Sequence, residues 1–125
     1  MNSLGIVKNY SADAAIAKFR IVKHGSKNGY VAQASVATDA FAGVTGINGA
    51  SGLDDRVDIH KSDIRPVEYG GTVEAGDPLT SDGDGKAIKA APTAGNNVSC
   101  IGYAEVSAVA GDIADAHIDT FIMQG

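Results

Sequence analysis

Cysteine is almost missing from this chain of 125 residues: Cys100 is the single one, so no internal disulfide can hold the fold together. A lone thiol inside VSCIGYA reads as a small core residue and fits synthesis in a reducing cytosol. Tryptophan is absent and aromatics reach only 6%. The large apolar side chains that dominate most cores are therefore scarce, and much of the 44% hydrophobic fraction is Ala and Val. At about 25 cal/mol per Å² of buried apolar surface, small side chains each contribute little, so part of the stability is expected to come from neighbouring copies. Positive charge is also in deficit, with 10 Lys and Arg against 15 Asp and Glu and a net charge of −5. A surface of that sign repels phosphate backbones and anionic lipids, which argues against nucleic acid as a partner. The apolar runs are far shorter than the roughly 20 residues of a membrane-spanning helix. The opening MNSLGIVKNY lacks the apolar stretch of a secretory signal, so no membrane association is expected.

What is present is short strands and turn punctuation. The length suits one domain with a core of its own. Only Ser11 to Ala17 looks helical, and it leads straight into FRIVK, where alternation predicts a strand over Ile16 to Lys23 with Phe19 and Ile21 on one face. SKNG, Ser26 to Gly29, is a hairpin turn, since Asn-Gly accepts the positive φ angles such turns need. The returning strand is expected over Tyr30 to Ala37, followed by a polar turn at Thr38 to Ala40 and the small-residue run FAGVTG. Gly46 to Asp55 reads as a surface loop. Arg56 to His60 alternates cleanly, with Val57 and Ile59 inward. Pro66 places IRPVEY at a sheet edge or strand end. AGDP and DGDG are turns, Lys86 to Ala91 is a strand, and two last strands, Val98 to Val106 and Ala116 to Met123, are joined through VAGD. The corner at Val73 to Leu79 echoes that at Val109 to Ile113: each has an Ala-Gly-Asp turn followed by an apolar restart. Strands of this length and spacing predict an all-β fold, a small barrel or sandwich.

Reactive constellations are missing as well. His24, His60, His117 and Cys100 have no metal-ligand spacing. SDGDGK opens like a calcium loop, but Lys86 and Thr93 stand where oxygen ligands belong, so it reads as a hairpin. No nucleophile signature occurs, and GVTGINGASG lacks the Lys-Ser/Thr ending of a phosphate loop. Lys86 lies near corners like those of biotinyl and lipoyl domains, but Gly85 and Ala87 flank it where those domains carry methionine. With no acid–base pair to nominate, the expectation is a protein that is not an enzyme and holds neither cofactor nor metal.

In order, NYSADAAIAKFRIVK, GYVAQASVATDAFAGVTG, RVDIHKSDIRPVEYGGTVEAGDPLTSDGDGKAIKA and IGYAEVSAVAGDIADAHI resemble the small capsid decoration, or structural cement, proteins of bacteriophages. The VEAGDPLTSD corner is similar to corners of β-clip folds, including lambda-type head-decoration proteins. The resemblance implies a compact barrel-like or clip-like β domain over residues 13–125 behind an N-terminal arm over residues 1–12. It further implies a virion component made in the bacterial host cytoplasm. Such a component sits on the capsid exterior, binds the major capsid protein and cements the shell, often as a trimer at threefold positions. The arm residues it points to for capsid binding are Leu4, Ile6, Val7 and Tyr10, which could add a strand to an exposed sheet edge or pack on their own barrel.

Overall fold

The computed structural model describes residues 5–125, and every regular element among them is a β-strand. Strands β1 (Val7–Ala12), β2 (Ile21–His24), β3 (Tyr30–Gln33), β4 (Phe41–Thr45) and β5 (Arg56–His60) close into a barrel in the order β1-β3-β2-β4-β5. Strands β6 (Asp63–Glu68), β7 (Pro78–Ser81), β8 (Ala87–Lys89), β9 (Asn97–Ala104) and β10 (Ile113–Gln124) form a second sheet in the order β6-β10-β9-β7-β8. The expected all-β single domain is what forms, a barrel and a sheet packed together.

Local chemistry explains most boundaries. The Ser26 to Gly29 turn joins β2 to β3, with Gly29 at φ +81° and the Tyr30 N–H donating to the Lys27 carbonyl at 3.1 Å. In β5 the side chains of Val57 and Ile59 are buried between exposed Arg56 and Asp58. Pro66 lies in β6, an edge strand, where a residue without an N–H is tolerated.

Three expectations fail for identifiable reasons. The strand expected over Ile16 to Lys23 begins only at Ile21, because Phe19 takes a φ of +56° and Ile16 instead makes an isolated bridge to Ala50. The one expected over Tyr30 to Ala37 stops at Gln33, because the Asp39 carboxylate accepts the N–H groups of Ser35 and Val36 and closes a turn. The helical look of Ser11 to Ala17 is not realised: Ser11 and Ala12 end β1, antiparallel to β5 and, at this end, parallel to β3. Residues 7–12, the second half of the arm read from the sequence, are thus a strand of the barrel.

Two clusters make the interior. Tyr10, Ala12, Val22, Val31, Ala42, Val57 and Ile59 fill the barrel. Ile21, Phe41 and Val44, on the opposite faces of β2 and β4, pack with Val67, Tyr69, Leu79, Ile101 and Ile118 of the second sheet. Polar links reinforce this joint. The Ile21 N–H donates to the Gly85 carbonyl at 2.8 Å and the Glu68 N–H to the Phe19 carbonyl at 2.9 Å. The Glu68 carboxylate pairs with Arg20 at 3.1 Å and Lys86 at 3.3 Å.

The two Ala-Gly-Asp corners clasp one another. The Val73 N–H donates to the Ala108 carbonyl and the Ala108 N–H returns the bond to Val73, at 2.9 and 3.1 Å. Gly76 donates to Ala104 as Gly111 donates to Tyr69, and both glycines sit at φ +92°. Asp77 caps the Glu74 N–H at 2.9 Å as Asp112 caps that of Val109 at 3.0 Å. Each corner feeds a strand that pairs with the other unit's strand: β7 with β9, and β10 with β6. The sequence echo is therefore a local pseudo-twofold.

Two measurements probe this core. In β4, a Cβ on Gly43 would collide with the His60 carbonyl and meet Ile59 Cγ2 at 2.7 Å, at a φ of +151°. Gly43→Ala should cost about 3 kcal/mol in urea unfolding, and a loss under about 0.5 kcal/mol would contradict this packing. For Glu68, burial raises the carboxyl pKa, but hydrogen bonds from Arg20 and Lys86 outweigh it and hold the group below its ordinary 4.5. The folded state thus releases this proton more readily, so its contribution is present above pH 4.5 and is lost as pH falls through the folded value. Glu68→Gln should lower stability at neutral pH, with the gap to the parent protein closing in acid; a gap independent of pH would refute the pairing.

Candidate functional site

The strand directions bring one end of the barrel together from five separate places. The starts of β1, β3 and β4 and the ends of β2 and β5 all lie there. Tyr10 fills the barrel at this end, only 4% exposed, because alternation along β1 turns its side chain inward. Lysines gather around its ring. Lys8 Nζ lies 5.1 Å and Lys61 Nζ 5.3 Å from the ring centroid, while the His24 ring meets it edge-on at 6.3 Å. Lys61 also donates to the Tyr10 hydroxyl at 3.0 Å and to the Ala42 carbonyl at 2.7 Å, which ties β5's end to β1 and β4.

Beside this ring opens a cleft of about 510 Å³, lined by Lys8, Tyr10, His24 and the whole turn from Gly25 to Gly29. It exists because β1 pairs with β3 only from Ser11 onward. Over residues 7–10 the strand has β5 on one side and no strand partner on the other. The alternating hydrogen bonds, Ser11 N–H to Gly29 and Ala12 N–H to Asp55, aim the main-chain groups of Val7 and Asn9 toward that open edge. Lys27 sits on the turn, its Nζ 4.6 Å over the Tyr30 ring. Among the described residues, no carboxylate lies within ion-pairing distance of Lys8, Lys27 or Lys61, whereas Arg20, Lys23, Lys86 and Lys89 each have one.

Of the residues singled out in the sequence, Ile6 and Val7 are 62% and 45% exposed and border this end of the barrel. The Ile6 main chain is already engaged: its N–H donates to the Ser62 hydroxyl at 2.8 Å and its carbonyl accepts from Lys61 at 2.7 Å. Tyr10 is only 4% exposed, its ring packed in the barrel core and bordering the cleft. Leu4 lies outside the described residues. Lys8, Lys27 and Lys61 carried no sequence signal, being separated along the chain and joined only by barrel closure.

The other residues weighed for chemistry are scattered. His24 is at the barrel end, His117 faces Tyr103 across β10 and β9, and His60 ends β5, where burial and the Arg65 charge hold its imidazole below its ordinary pKa. Burial pushes the Cys100 thiol up. Asp82 spends a carboxylate oxygen on the N–H groups of Asp84 and Lys86, at 2.8 and 3.0 Å, as a hairpin cap. Among the described residues, no group of three or more His, Cys, Asp or Glu is placed to hold a metal ion. A second exposed feature is an apolar row across the second sheet, where Ile64, His117, Tyr103 and Pro78 stand in register and Tyr103 stacks on Phe121 at 5.1 Å.

No family model matches the chain, and no curated protein matches it. Among solved structures, it is similar to the head fiber gp8.5 N base of bacteriophage phi29, with a TM-score of 0.69 and 19% identity. The likeness covers 91% of this chain and 93% of that one, so the barrel and the second sheet are shared together.

The roles of the barrel-end lysines separate by burial and bonding. Lys61→Met should cost about 2 kcal/mol, because it removes two hydrogen bonds from a charged donor at the barrel's closure. Lys8→Gln, at an exposed position, should stay within about 0.5 kcal/mol of the parent. Equal losses in thermal or urea unfolding would show that Lys61 does not fasten the barrel.

Proposed function

We propose that this chain is a non-catalytic structural protein of a bacteriophage virion that attaches to the outside of the assembled capsid and stabilises it. The observation that carries the reading is the likeness over nearly the full length of both chains to a base domain of a phage head fiber. The order of sequence blocks, which resembles capsid decoration proteins, points the same way. The partner is the major capsid protein, the working form is a trimer, and the chain is made in the host cytoplasm. Small side chains in the core and an exposed apolar row with stacked Tyr103 and Phe121 support burial between copies.

Attachment is assigned to the N-terminal segment, with Leu4, Ile6 and Val7 as its apolar contacts and Tyr10 holding the barrel end from which it leaves. The strand assignment sharpens the test. Removing residues 1–6 spares β1, so the shortened protein should fold, yet co-sediment with capsids at least tenfold more weakly. Removing residues 1–10 takes most of β1 and should unfold the barrel. Full-length protein that does not co-sediment with assembled capsids at saturating concentration would end the reading, and sedimentation velocity at micromolar concentration reads the trimer directly.

A further inference from the structure

We infer that the cleft at the barrel end is a binding site for an acidic polypeptide segment, held in extended form along the open edge of β1. The chain carries a net charge of −5, yet Lys8 and Lys27 both line this one cleft, beside the ring of His24. Lys8 and Lys27, like Lys18 and Arg56, have no carboxylate partner among the described residues. What sets the first two apart is that they line one concave cleft. Positive charge left without a counter-ion in an acidic protein is an electrostatic imprint of an anionic ligand.

Three features select a peptide from among anions. The main-chain groups of Val7 and Asn9 face the cleft with no strand beside them, so an extended backbone can pair there as an added strand. The N–H groups of Lys27, Asn28 and Gly29, all lining residues, donate to no acceptor among the described residues, so the turn has main-chain donors to spare for a peptide carbonyl or carboxylate. The lining holds lysines and no arginine, hence point charges in place of the planar fork that favours phosphate. A volume of about 510 Å³ accommodates a few side chains, and the acidic surface beyond would repel a long nucleic acid strand.

The test uses the intact chain and synthetic hexaglutamate, followed by amide chemical shifts at low ionic strength. Expected are shifts confined to residues 7–10, 24–29 and 61, reversed at about 0.2 M salt. Lys8→Gln with Lys27→Gln should weaken binding roughly tenfold, while the charge-matched pair Lys18→Gln with Lys89→Gln leaves it unchanged. Circular dichroism establishes that both double variants are folded. Absence of binding, shifts centred elsewhere, or equal weakening by the two pairs overturns the site. Tighter binding of polyphosphate or of a single-stranded oligonucleotide than of hexaglutamate overturns the peptide assignment. Because capsids are absent from the assay, failure here leaves the attachment reading above intact.

Discussion

Burial of β2 and β4 on both faces is the constraint on which the rest of the molecule depends. Ile21 and Val22 are neighbours in the chain and both fully buried, one facing the second sheet and the other facing the barrel interior. In β4, Phe41 and Val44 face the sheet while Ala42 faces the barrel, and Gly43 admits the close approach of β5 between them. A strand covered on both sides is apolar or small at nearly every position, which is why FAGVT lacks alternation. Its one polar side chain, Thr45, donates its hydroxyl to the Ala17 carbonyl at 2.9 Å. This shared layer joins barrel and sheet into one cooperative unit. Neither could be withdrawn without exposing a face of β2 and β4 that is dry in the intact protein.

The mutual clasp of the two Ala-Gly-Asp corners does for the second sheet what closure does for the barrel. Each corner hands its chain to a strand that pairs within the other unit, so the two units cannot part without breaking β6–β10 and β7–β9 together. Glycine at φ +92° allows the reversal, and the aspartate that follows satisfies the N–H that the reversal would otherwise strand. Main-chain bonds do this work, which suits a sequence poor in large apolar side chains.

What the sequence disclosed follows from whether a signal was local. The SKNG turn, the alternation of Arg56 to His60, the edge position of Pro66 and the paired corners each rest on a few adjacent residues, and each was legible. The barrel role of Val7 to Ala12 was not, because Val7, Lys8 and Asn9 are all exposed and only Tyr10 and Ala12 reach the barrel interior. Phe19 concealed a break, since a positive φ at an aromatic residue leaves no trace in an apolar pattern. The lysine cleft was the least visible feature. Its members come from β1, from the end of β2 and from the β2–β3 turn, and only the parallel pairing of β1 with β3, begun late at Ser11, leaves the opening between them.

Summed without screening, the charges of an acidic protein would cancel the field of a basic cleft. Screening decides otherwise. At physiological ionic strength the Debye length is about 8 Å, so exposed carboxylates farther away than that contribute little inside the cleft. Carboxylates beside the cleft keep their charge and are fixed in place: Asp13 accepts from the Ser26 N–H at 2.7 Å and its hydroxyl at 2.8 Å, and Asp54 accepts from the Tyr30 hydroxyl. The field in the cleft is therefore a local balance between Lys8 and Lys27 in its lining and the carboxylates of Asp13 and Asp54 that bond Ser26 and Tyr30. The same short range lets the outer acidic surface discourage non-specific polyanions, so one small domain can attract a short acidic segment and still repel a nucleic acid.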